Sequence, residues 1–227
     1  AVMLGSLAVG FGLLLSLRST HVSRTASLSM AAEVTEAIRA IRANRTIWAV
    51  LMVTVALNFF GFPHLQMVPV IARDILEVGS VLYGVLAAAT GLGAMTGTLI
   101  IATFGVRNQG TVYALGALLM LLGVFFFALS TFYPLSLLLL FIVGIGMSSF
   151  ATMQIALVLQ AAPPEMRGRA LGGVALGIGS APLGTLAVGQ LAEALGAQVA
   201  LALLSGIGFV VLIALYWRLP ALHNSEL

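Results

Sequence analysis

Long apolar runs almost free of charge, seven in all, constrain this chain more than any other feature. They cover roughly residues 1–17, 46–70, 81–104, 111–129, 135–160, 170–193 and 197–218. A helix crosses a hydrocarbon core of about 30 Å with about 20 apolar residues, and it suits that solvent because it pairs its own backbone polar groups. Composition agrees: 61% of the 227 residues are hydrophobic and 7% are charged, a balance that a water-facing surface does not tolerate. The expected fold class is all-α, a polytopic membrane helix bundle whose first partner is the lipid bilayer. Runs 46–70 and 135–160 are long enough to tilt or kink.

Charge placement predicts sidedness. All ten basic residues are Arg, and the net charge is +3. They lie in short segments between runs, which excludes the contiguous basic face that nucleic-acid binding needs. Cytoplasmic loops retain Arg and Lys. Segment ends and loops holding Arg18, Arg24, Arg39, Arg42 and Arg45, then Arg107, then Arg167 and Arg169, then Arg218, all fall on one side of an alternating set of spans. Arg73 falls on the other side, beside Asp74 and Glu77. The linker and the tail 219–227 are therefore expected in the cytoplasm. The chain is apolar from Ala1 with no basic stretch before it, which reads as the tail of a transmembrane helix that begins upstream. Within the linker, 18–45, apolar Met30, Val34, Ile38 and Ile41 alternate helically with Glu33, Glu36, Arg39 and Arg42. That pattern predicts a short amphipathic surface helix capped by Ser29.

Chemistry-bearing residues are sparse. The sequence holds no nucleophile elbow, zinc-protease helix motif or phosphate-binding loop, so no catalytic residue is expected. Zero cysteines remove disulfides and thiolate metal sites. His21, His64 and His223 are too scattered for a histidine metal site, so neither a metal nor a cofactor is expected. Polar side chains at membrane depth are costly unless they face protein or water. Asn58, His64, Gln66 and Gln154 are therefore candidates to line a water-filled cavity that contacts a small-molecule substrate, or else to bond between helices. Phe59, with Phe60 and Phe62 beside it, suits a greasy ligand or lipid-facing packing. No acid lies deep in a run, so a coupling proton would be carried by a residue in the missing part or by His64, or else the coupling is different. Gly93 and Gly97, Gly168 and Gly172, and Gly173 and Gly177 are each four apart, the spacing that lets helix backbones approach closely in lipid. Pro63 and Pro182 lie inside runs and should kink or break them.

The strongest local motif is Pro163-Pro164-Glu165-Met166-Arg167-Gly168-Arg169, followed at once by a glycine-rich run. With Gln160, Gly172, Pro182-Leu183-Gly184, Gly189 and Leu195-Gly196, this stretch resembles the tenth-to-eleventh helix region of the major facilitator superfamily. It is most similar to the branch that contains enterobactin exporters and macrolide-efflux proteins. Asn58-Phe59-Phe60-Gly61-Phe62-Pro63, Pro69-Val70-Ile71-Ala72-Arg73 and Tyr83-Gly84 resemble helices seven and eight of that branch.

The resemblance implies a carboxyl-terminal half. Residues 1–17 would be the end of helix six, 18–45 the central cytoplasmic linker, 46–218 helices seven to twelve and 219–227 a cytoplasmic tail. It further implies secondary transport in the cell inner membrane, with the missing amino-terminal half of the same chain as partner. The activity implied is proton-coupled efflux of a small amphipathic molecule, such as a drug or siderophore, by alternating access. The family's gating motif between helices eight and nine carries an acid, and Gly105-Val106-Arg107-Asn108 lacks it. Arg107, Glu165, Arg167, Gly168 and Arg169 would then gate, or merely anchor, the cytoplasmic face. Two rivals stay open, a non-transporting scaffold or receptor module of the same fold and a membrane enzyme built around His64.

Overall fold

Six helical spans long and apolar enough to cross a membrane follow one another through residues 42–222, which are the residues that the computed structural model describes. The run 1–17, most of the linker 18–45 with its amphipathic stretch, and tail residues 223–227 lie outside the described residues. The first span, Arg45–Asp74, consists of α1 (Arg45–Phe60) and α2 (His64–Asp74). Then come α3 (Ser80–Phe104), α4 (Gln109–Leu129) and α5 (Tyr133–Ala161). The fifth span, Pro164–Leu195, is a 3-10 turn, Pro164–Met166, followed by α6 (Arg167–Ile178) and α7 (Ala181–Leu195). The last span is α8 (Ala197–Arg218), closed by a second 3-10 turn, Pro220–Leu222.

Local chemistry sets the ends. Asn44 precedes α1 and its side-chain oxygen accepts from the amides of Thr46 and Ile47, both at 3.1 Å. Asn108 does the same for α4, accepting from Thr111 N at 3.0 Å. These caps satisfy amides that a helix start leaves unpaired. Gly105 ends α3 with φ of 66°, and Gly196 joins α7 to α8 with φ of 84°, backbone that a side chain would strain. The fifth span begins several residues earlier than its apolar run, because the Pro164 turn carries Arg167-Gly168-Arg169 directly into helix.

Packing follows the glycines. α5 lies against both α3 and α4, while α4 also packs on α8. Gly93 sits against the Phe141 carbonyl and Gly144 against that of Thr90, so α3 and α5 meet backbone to backbone at both places. Gly97 faces Ser148 and Ile145 of α5. Gly116 of α4 and Gly146 of α5 oppose each other in the same way. Small residues give helices this approach in lipid, where dispersion contacts and hydrogen bonds must hold them together. Gly168 and Gly172 differ from that expectation: both are exposed with open space around them, so this pair packs nothing within the unit. Leu57, Ile71, Met120, Leu121, Phe127 and Leu201 are fully buried between helices. Leu92, Met95, Leu99, Ile207 and Val210 point outward, as apolar side chains do when the surrounding solvent is hydrocarbon.

Candidate functional site

Two of the six spans are broken, and the breaks lie beside each other. In the first span the amides of Gly61 and Phe62 both bond to the Leu57 carbonyl, at 2.8 and 3.1 Å, and Pro63 has no amide to give. The helix therefore stops at Phe60 and restarts at His64. In the fifth span Gly179 and Ser180 interrupt the helix just ahead of Pro182. The Ser180 hydroxyl lies 2.7 Å from the Gly177 carbonyl and 3.2 Å from that of Val55, which ties this break to α1. Gly184 then lies against the Phe59 carbonyl, and Gly177 faces the methyls of Thr54, Leu51 and Val55. Gly173 is buried one turn earlier on α6. Pro63 and Pro182 thus flank the places where the two spans change course.

Between the broken spans and α5 opens a cleft of about 440 Å³. Asn58, Phe62, Leu65 and Gln66 line it from the first span. Phe150, Ala151 and Gln154 line it from α5, and Ile178, Ala181 and Thr185 from the fifth span. Three amide residues and a threonine thus line a cleft whose other walls are aromatic and aliphatic, with the Asn58 and Gln154 NH2 groups bonded to Thr54 and the Thr185 hydroxyl to the Ala181 carbonyl. Among these lining residues none is ionisable. Phe62 and Phe150 approach with ring centroids 6.3 Å apart, and Phe150 stacks on Tyr113 at 5.1 Å.

Behind the wall runs a buried polar chain. Gln154 Nε2 donates to Thr54 Oγ1 at 2.6 Å. Thr54 Oγ1 lies 2.7 Å from the Val50 carbonyl and 3.1 Å from the Tyr113 hydroxyl. Tyr113 itself donates to Val50 O at 2.9 Å. One helical turn on, Asn58 Nδ2 donates to the Thr54 carbonyl at 2.9 Å. Val50, Thr54 and Asn58 are each four apart, so they stack on one face of α1. The chain joins α1, α4 and α5 across the middle of the bundle, where an unpaired polar group would be expensive.

The structure brings together three of the sequence candidates, Asn58, Gln66 and Gln154, and leaves two apart. His64 is 1% exposed and does not line the cleft. Its Nδ1 donates to the Gly61 carbonyl at 2.8 Å, which fixes the proton on that nitrogen, and Nε2 has no protein partner. The ring closes the helix break from inside the protein because its own turn folds it back on Gly61. Phe59 packs edge-on against Phe60 at 4.8 Å, is half-buried, meets Gly184 of α7 through its main chain, and does not line the cleft. Thr54, Tyr113 and Thr185 were not singled out in the sequence. Thr54 and Asn58 share a helix face, and that spacing was the available signal; Tyr113 lies too near the start of its run to separate from headgroup-level tyrosines.

On the loop ends, Arg107 is exposed and Asn108 spends its side chain on the α4 cap. Glu165 is exposed within its 3-10 turn, and Arg167, Gly168 and Arg169 form the first turn of α6.

Fold and cleft together define a multi-span helical membrane protein with a mostly apolar, partly polar recess between broken helices. The family model of the Major Facilitator Superfamily matches residues 1–176 and 67–226, and the chain belongs to that superfamily of membrane transporters. No curated protein and no solved structure matches it.

Proposed function

We propose that the chain forms the carboxyl-terminal six-helix half of a secondary transporter that exports a small amphipathic molecule by proton-coupled alternating access. The observation that carries this reading is the cleft. It presents the amides of Asn58, Gln66 and Gln154 beside Phe62, Leu65, Phe150 and Ile178, a pairing that suits a ligand with a greasy body and a few polar groups. Broken helices flanking a midplane site are the structural device by which transporter halves rock around bound substrate. The spans Ser80–Phe104 and Pro164–Leu195 are the least buried within the unit, which leaves room for a second six-helix half against them.

Sidedness supports a plasma-membrane orientation with the linker and carboxyl terminus in the cytoplasm. Across alternating spans Arg45, Arg107, Arg167, Arg169 and Arg218 share one end of the bundle. Arg73 sits at the other, paired with Asp74. No titratable side chain lines the cleft among the described residues, and we place the coupling proton on the other half.

The experiment is efflux of a panel of fluorescent amphipathic substrates from cells carrying the full-length gene. Accumulation should fall with the gene and recover with Gln154→Ala. Accumulation that ignores the gene across the panel would favour a scaffold of the same fold, the reading that the missing acid at Asn108 supports.

A further inference from the structure

A second recess, of about 530 Å³, opens where the start of α1 meets the end of α8. Its rim carries three guanidinium groups, those of Arg42, Arg45 and Arg218, and among the described residues no carboxylate lines it. Trp48, Leu219 and Pro220 form its apolar side. We propose that this recess holds the phosphate group of an anionic phospholipid.

Two anchors build it. Asn44 caps α1 and also donates from Nδ2 to the Ala161 carbonyl at 2.9 Å, which fixes the start of α1 to the end of α5. On the other side Leu222, 1% exposed, buries itself after the Pro220 turn, with its carbonyl 3.5 Å from the Thr111 hydroxyl. Arg218 is thereby held in the same recess as Arg45. Arg42 lies over the Trp48 ring at 5.1 Å, a contact that orders the side chain and keeps its cation beside the recess.

Charge and depth select the ligand. Three cations with no acid among the described lining residues call for an anion, and planar guanidinium forks match phosphate oxygens in pairs. The Thr46 and Ile47 amides at the helix start are already taken by Asn44, so the guanidinium groups supply the donors. Both tryptophans of the chain, Trp48 and Trp217, stand at this end, and Trp217 is 77% exposed. Tryptophan collects at the headgroup level of a bilayer, so the recess lies where lipid phosphates are and its apolar side meets the first acyl carbons.

The test is lipid retention by the protein purified from membranes and exchanged into an equimolar mixture of phosphatidylglycerol and phosphatidylcholine, read by native mass spectrometry. Phosphatidylglycerol should be retained in preference, and Arg45→Gln and Arg218→Gln should each lower that preference about fivefold. Arg107→Gln, at the same end but outside the recess, should leave it unchanged. Equal retention of both lipids, or an equal loss in Arg107→Gln, would overturn the proposal. The preference should also survive excess inorganic phosphate, because acyl chains add binding that the free ion lacks. Its loss there would assign the recess to soluble phosphate and overturn the lipid as occupant.

Discussion

Gln154 Nε2 donates to the Thr54 hydroxyl at 2.6 Å, joining α5 to α1 immediately behind the cleft that Gln154 also lines. One side chain therefore serves both the packing of the bundle and the surface of the recess. The two roles separate by experiment. Thr54→Val keeps the shape and removes the acceptor, and a Thr54→Val, Gln154→Leu double-mutant cycle should give a coupling energy of about 1 kcal/mol. Thermal unfolding of the purified protein in detergent checks it, and a coupling indistinguishable from zero would show that the bond contributes nothing to the fold.

Tyr113→Phe should cost less than Thr54→Val. The phenol lies within reach of the Thr54 hydroxyl and the Val50 carbonyl, and both retain partners when it is gone. A loss of about 0.5–1.5 kcal/mol is expected for one such bond. The same unfolding measurement checks the order of the two variants.

His64 should behave as a brace. Its ring bonds to the Gly61 carbonyl at the helix break and lies outside the cleft. His64→Ala is expected to lower stability by about 2 kcal/mol, as one hydrogen bond and a buried ring are lost. The pH dependence of transport should keep its midpoint in His64→Gln. A midpoint displaced by this substitution would return the proton to His64.

The glycines should divide by what surrounds them. At Gly93 a methyl group would meet the Phe141 carbonyl, so Gly93→Ala should separate α3 from α5 and cost about 1–3 kcal/mol. Gly189, within α7, has open space, and Gly189→Ala should raise stability by up to about 1 kcal/mol. Melting temperatures of the two variants, moving in opposite directions, check the contrast.

The spans were legible because lipid imposes one rule on all of them: an apolar run of sufficient length has to be helix. The runs 81–104 and 197–218 match α3 and α8 to within a residue. The breaks were legible through Pro63 and Pro182. The site was only half legible. Asn58, Gln66 and Gln154 announce themselves because amides are rare at membrane depth, whereas threonine hides its polarity by bonding to the carbonyl four residues back, as Thr54 does with Val50. His64 was legible as a titratable ring at depth, but not its place outside the cleft, which follows from the turn that folds it onto the Gly61 carbonyl. Glycine spacing likewise separates Gly93 and Gly97 from Gly168 and Gly172 only once the facing helix is in place.

On the proposed function, the cleft between the broken spans is a water-filled transport recess. This chain contains no cysteine, so single cysteines placed in it can report the recess once any cysteines of the other half are replaced. In the full-length protein Gln66→Cys, Ala151→Cys and Thr185→Cys should react with a membrane-impermeant maleimide, while Leu203→Cys on the lipid-facing side of α8 should not. If the cleft cysteines are as unreactive as Leu203→Cys in both right-side-out and inside-out vesicles, the recess is not open to water and is not a transport path.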